Sequence, residues 1–181
     1  MGERTNLSMV DGELSANVAP DDRGLAYGHG LFETMRLSTG AIPLQDRHLA
    51  RLVRDAERLY LPVDRAAVNA DIERFSAHLK RAGITDGVVK LIITAGSGGR
   101  GYRTPKTLAA RCILQYSALP NDLAALAQTG ARLYQCEYRL PANTALAGIK
   151  HLNRLDQILA RSEWQDEYDD GLMLDQKNLL V

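Results

Sequence analysis

The chain has 181 residues, enough to bury a sizeable core in one domain or two small ones. Lysine plus arginine and aspartate plus glutamate both number 22, so the formal net charge is zero and bulk charge selects neither nucleic acid nor an acidic membrane surface. With no signal-peptide core and no run of about 18 apolar residues, the sequence predicts a cytoplasmic location without membrane insertion. Cys112 and Cys136 lie in apolar runs without metal-ligand spacing; both read as reduced core residues, and no metal site is expected.

In chain order, Asp11-Gly12 suits a tight turn between Ser8-Met9-Val10 and Leu14-Ser15-Ala16, which predicts a hairpin. Asp21-Asp22-Arg23-Gly24 and Gly28-His29-Gly30 read as a loop, and Leu31 to Leu37 alternates like a strand. Leu49, Leu52, Val53, Ala56 and Leu59 recur at helical spacing over Asp46 to Leu59, before Pro62. A second helix is predicted from an N-cap at Asp64, burying Val68, Ile72, Phe75 and Leu79 and stopping near Gly83.

Gly87 to Ala95 is short and β-branched, a buried strand leading into the glycine-rich loop Gly96 to Tyr102; Cys112 to Tyr116 forms another strand. Proline and turn formers in Ser117 to Asp122 mark a domain boundary, giving residues 1–118 and 119–181. The second part holds a strand over Ala131 to Cys136, a helix over about Leu152 to Glu167 and a strand over Gly171 to Asp175.

Ala147-Gly148-Ile149-Lys150-His151-Leu152-Asn153-Arg154-Leu155 places a lysine between a glycine turn and the predicted first turn of that helix. There an ε-amine feels the positive end of the macrodipole, which favours the neutral nucleophile that attacks carbonyls, although most lysines beside a glycine are solvated surface groups. With Asp156 to Arg161, this segment closely resembles the cofactor-lysine region of the 4-amino-4-deoxychorismate lyases, a family of fold-type IV pyridoxal-phosphate enzymes. Asp22-Arg23-Gly24 through Phe32-Glu33-Thr34, His48 to Leu52 and Gly96 to Tyr102 are similar to further family blocks in the same order.

The resemblance implies an α+β chain: a small N-terminal α/β sandwich domain followed by the beginning of a larger β-rich one. It implies pyridoxal 5'-phosphate as cofactor, a homodimer, and conversion of aminodeoxychorismate to 4-aminobenzoate and pyruvate, a step of folate synthesis. By the same resemblance Lys150 is the covalent cofactor residue and proton shuttle. Arg51 binds the cofactor phosphate, with His48 on the same helix face as a supporting cofactor-binding neighbour; a solvated arginine series over Arg47 to Arg58 is the plain alternative. Arg100 and Tyr102 bind substrate carboxylates unless the loop is simply a mobile hairpin. Thr34 helps protonate the departing enolpyruvyl group, although strand threonines are commonly structural. Arg154 is a further cofactor candidate, and Asn153 and Arg154 could equally cap a helix.

Two positions depart from the family pattern. His29 stands where an aspartate is usual between two glycines. Family members also continue beyond Val181 with the acid that pairs with the pyridine nitrogen; Asp175 precedes that position by several residues and is not given the role. A D-amino-acid or branched-chain aminotransferase is the enzymatic rival. A truncated, non-catalytic fragment is the rival from another class, on which the 181-residue chain alone is expected to be inactive.

Overall fold

A computed structural model describes residues 7–14 and 17–181, which fold as two compact units, Met1–Leu119 with Lys150–Leu152, and Pro120–Ile149 with Asn153–Val181. The first unit holds β1 (Ser8–Val10), α1 (Arg23–Tyr27), β2 (Gly30–Leu37), α2 (Gln45–Arg58), α3 (Arg65–Arg81), β3 (Gly87–Thr94) and β4 (Arg111–Ser117). Its sheet is antiparallel in the order β1-β4-β3-β2, with Gly30 opposite Thr94 and Leu37 opposite Gly87. Alternation along β2 and β3 turns Leu31, Met35, Leu37, Val89, Leu91 and Ile93 inward. The stripes Leu49, Leu52 and Ala56 of α2 and Val68, Ile72, Phe75 and Leu79 of α3 join them in one core. Burying each large apolar side chain contributes roughly 1.5–3 kcal/mol. Asp64 caps α3 as its sequence predicts, accepting from Ala66 N at 2.8 Å, a contact worth about 1 kcal/mol.

The first predicted loop is in fact α1: the Asp22 side chain accepts from Gly24 N at 2.8 Å and Gly28 closes the helix in the left-handed region. A five-residue helix is too short to show a hydrophobic period. Asp11 and Gly12 both take positive φ and turn the chain as expected, with Val10 bridged to Glu13. The second hairpin strand falls partly on Ser15 and Ala16, which lie outside the described residues. β1 pairs with β4, Met9 opposite Leu114, a non-local partner that periodicity cannot name.

In the second unit α4 (Leu123–Thr129), β5 (Leu133–Leu140), α5 (Leu155–Arg161) and β6 (Asp170–Asp175) follow in order, with β5 and β6 parallel. Cys136, Ala160 and Trp164 form its small core with Tyr134, Tyr138 and Met173, and Tyr134 stacks on Trp164 at 5.2 Å. The sequence did not predict α4. α5 is shorter than the predicted Leu152 to Glu167: beyond it, the Glu163 carboxylate accepts from the amides of Glu137 (2.6 Å) and Tyr138 (2.8 Å) in β5. Among the described residues, no helix is long and apolar enough to cross a membrane.

Candidate functional site

β2 is an edge strand, and its open edge is taken by Lys150–Leu152. Phe32 N donates to the Lys150 carbonyl at 2.9 Å, Leu152 N donates to the Gly30 carbonyl at 3.0 Å, and Leu31 and His151 form the antiparallel bridge between them. The expected placement of Lys150 at a helix start is therefore corrected: Gly148 turns the chain at positive φ, but residues 150–152 pair with β2 through a single antiparallel bridge at His151 and α5 begins only at Leu155. Backbone pairing to β2, and not a helix dipole, fixes where this amine sits. Its Nζ lies 4.3 Å from the centroid of the Phe32 ring. Lys150 N also lies 3.4 Å from Asp55 Oδ2 of α2.

Thr34 follows Phe32 by two residues on the same, outward face of β2, as period two requires, and its strand partner is Lys90. The inward face carries the opposite surprise. Glu33 lies among Leu31 and Met35 at 1% exposure. Arg51 grips it with two donors, Nε to Oε1 at 2.6 Å and Nη2 to Oε2 at 2.5 Å, and His48 Nδ1 lies 2.9 Å from Oε2. An ionised carboxylate only accepts, so His48 Nδ1 carries the proton in this contact. Burial pushes the Glu33 carboxyl up, but the hydrogen bonds from Arg51 and His48 and the adjacent positive charge outweigh it and hold the group below its ordinary value. The same bond holds the Arg51 guanidinium above its own.

His48 and Arg51 thus share a face of α2, as their spacing predicts, and Asp55 lies one turn further on. The sequence reading did not assign Glu33, Asp55 or Phe32 a role. A signal existed for the acids: Glu33 occupies an inward position of an alternating strand, and Asp55 sits beside Ala56 in the apolar stripe of α2, both buried at 1% exposure. A charge at a core position needs a partner, and the partner is where chemistry can be built.

Arg100 and Tyr102 lie on the loop after β3 and are exposed, Tyr102 at 88%. Register brings that loop to the end of the sheet where Lys150–Leu152 attaches, because Thr94 faces Gly30 and Ala95 N donates to the His29 carbonyl at 3.0 Å. The loop is tied to α1 through Arg23 and Tyr27. Arg154 belongs to the second unit, where it is the N-cap position of α5 and makes no side-chain capping bond. Cys112 and Cys136 are buried and free, as expected.

Known proteins resemble this chain in sequence and fold. An aminodeoxychorismate lyase from Vibrio harveyi is 31% identical over 175 residues, covering 95% of this chain and 62% of the relative. The crystal structure of 4-amino-4-deoxychorismate lyase from Pseudomonas aeruginosa superposes with a TM-score of 0.90 at 46% identity, over 97% of this chain and 63% of that one. A hypothetical aminotransferase from Mycobacterium tuberculosis, in its PLP-bound form, gives a TM-score of 0.80 at 19% identity, over 98% and 65%, and shares the fold. A D-alanine aminotransferase from Staphylococcus haemolyticus is 26% identical over 174 residues, covering 90% of this chain and 57% of the relative. The chain therefore spans about three fifths of the length of its relatives. The architecture is the α+β arrangement of the fold-type IV enzymes. Residues 30–181 match the amino-transferase class IV family, and the chain belongs to it.

Proposed function

We propose that this chain carries the cofactor-lysine region of a pyridoxal-phosphate-dependent lyase that converts 4-amino-4-deoxychorismate to 4-aminobenzoate and pyruvate, acting as a cytoplasmic homodimer. The observation that supports the reading is the pair of groups that β2 holds, the Lys150 amine beside Phe32 at the strand's edge and, on its other face, an arginine, Arg51, that the buried Glu33 carboxylate fixes in place. The residues suit the cofactor's two ends. Lys150 offers the amine for its aldehyde. Arg51 commits Nε and Nη2 to Glu33 and leaves Nη1, on a side chain 42% exposed, for a phosphate oxygen. Glu33 orients that guanidinium and His48 steadies Glu33, so the phosphate-binding group is held ready before any ligand arrives. Bound there, pyridoxal phosphate supplies an electron sink for the carbon that bears the substrate amine.

The reaction removes a proton from that carbon, breaks the C–O bond to the enolpyruvyl group and delivers a proton to the departing group, leaving an aromatic ring. Lys150 would hold the proton taken from carbon. Thr34, exposed two residues from Phe32 on the same face, would deliver the proton to the leaving group. Arg100, with Tyr102 beside it, binds the substrate carboxylates; Arg154 is the weaker cofactor contact.

Purified protein given 4-amino-4-deoxychorismate and cofactor should release 4-aminobenzoate and pyruvate in equal amounts. Turnover of a D-amino acid to its 2-oxo acid, with no 4-aminobenzoate formed, would replace this reading by an aminotransferase, a reading supported by the likeness to the D-alanine enzyme. Sedimentation equilibrium tests the homodimer.

A further inference from the structure

Arg23 is 2% exposed, and no carboxylate lies within ion-pairing distance of it among the described residues. Its acceptors are neutral. Nη1 donates to the Gly101 carbonyl at 3.0 Å, Nη2 donates to the Tyr102 carbonyl at 3.2 Å, and Nε faces His29 Nδ1 at 3.4 Å. The guanidinium also lies over the Tyr27 ring at 4.9 Å. A buried guanidinium paired only with neutral groups is a costly way to fill space, since an apolar side chain would pack there without desolvating a charge. All its directed bonds end on the glycine-rich loop or on the residue that orients it.

The rest of the loop is arranged around that side chain. Gly101 N donates to Tyr27 Oη at 2.9 Å, and the rings of Tyr27 and Tyr102 meet edge to face at 5.5 Å. At the loop's base, Arg23 N donates to the Gly96 carbonyl at 2.9 Å and Thr94 Oγ1 donates to Asp22 at 2.8 Å. A Cβ on Gly98 would stand 2.6 Å from Arg23 Cδ, so the loop needs glycine there for the arginine stem to pass. His29 completes the set. Its Nε2 lies 3.1 Å from the Leu59 carbonyl, which can only accept, so Nε2 carries the proton and Nδ1 presents its lone pair to Arg23 Nε.

We propose that Arg23, oriented by His29, is a positioning residue that clamps the carbonyls of Gly101 and Tyr102 and so sets where Arg100 presents its guanidinium to substrate. A loop rich in glycine samples many backbone states, and holding the two carbonyls that follow Arg100 selects one of them. The clamp rests on the geometry alone. Its consequence for substrate rests on the proposed role of Arg100.

The test uses Arg23→Met, which removes the donors and leaves no charge buried, Arg23→Lys, whose compact ammonium replaces a fork that spans two carbonyls, and Gly98→Ala, which crowds the arginine off its carbonyls. In the intact protein, trypsin cleavage after Arg100 and Arg103, mapped by mass spectrometry, should rise at least about tenfold in Arg23→Met and Gly98→Ala, with exchange of the β3 amides unchanged. Arg23→Lys should fall between parent and Arg23→Met. In the cofactor-loaded protein, KM for aminodeoxychorismate should rise about 10- to 100-fold in Arg23→Met while kcat and cofactor affinity move little. Cleavage at the parent rate in both Arg23→Met and Gly98→Ala overturns the clamp. Faster cleavage with KM unchanged overturns its role in placing Arg100. If the parent releases no 4-aminobenzoate, the functional reading fails while the cleavage comparison still decides the clamp.

Discussion

Replacing Glu33 with glutamine keeps the shape of the side chain and removes its charge, which isolates what the carboxylate does beneath Arg51 and His48. In the parent, one oxygen accepts from Arg51 Nε and the other accepts from Arg51 Nη2 and His48 Nδ1. The glutamine amide nitrogen can replace neither acceptor role on its side, so at least one bond to Arg51 is lost and a donor faces a donor. Hydrogen bonds to charged groups contribute about 1.5–3 kcal/mol each, and Glu33 is buried, which argues for the upper part of that range. Arg51 is 42% exposed and can turn to water, which argues for a discount. The net expectation is a loss of about 2–4 kcal/mol from the first unit. Native-state hydrogen exchange at Met35 and Val89, paired across β2 and β3, reads that loss as a roughly 30- to 1,000-fold faster exchange. Trp164 fluorescence does not serve, because that residue packs in the second unit.

The sign with pH follows from the lowered Glu33 value. A carboxyl depressed in the folded state stabilises fully above its ordinary value, near 4.5, and loses that contribution as pH falls through the folded value. The parent and Glu33→Gln should therefore differ most at neutral pH and converge below about pH 4.5. A loss under about 1 kcal/mol, or a difference that does not shrink in acid, would refute the assignment of Glu33 as the charged anchor of this cluster.

Borohydride reduction of the cofactor-loaded protein should place a pyridoxyl group on Lys150; peptide mapping that finds it on another lysine removes Lys150 from its proposed role. Arg51→Lys should weaken cofactor affinity by about one to two orders of magnitude, because a point charge replaces a fork that grips Glu33 and phosphate together; titration showing unchanged affinity refutes the phosphate assignment. Thr34→Ala should lower lyase turnover by roughly 10²–10⁴-fold with cofactor binding intact, and equal losses of both would mark a packing role instead. Burial first, with Asp71 and Asp11 nearby, pushes the Cys112 thiol far above its ordinary value, so in the folded state it should resist alkylation at pH 8 and react only on unfolding; rapid native labelling would contradict its buried placement.

The sequence alone determined the elements whose physics is local. Asp64 caps α3 because its carboxylate reaches amides two and three residues on, and the stripe Val68, Ile72, Phe75, Leu79 repeats at the pitch of one helix. It likewise placed His48 and Arg51 on one helix face and Thr34 on the same strand face as Phe32 and Arg36, since both follow from a fixed period. Tertiary structure decided what depends on distant partners. The segment at Lys150 reads as a helix start, yet the unpaired edge of β2 offers it backbone bonds from Gly30 to Phe32 and holds it there through an antiparallel bridge. Glu33 reads only as a charge among apolar neighbours until α2 packs on the sheet and brings Arg51 and His48 to it. Arg23 reads as part of a loop until the chain returns at Gly101 and Tyr102, 78 and 79 residues later, with the carbonyls it binds. Periodicity reports which face a residue takes; only closure of the fold reports what stands opposite it.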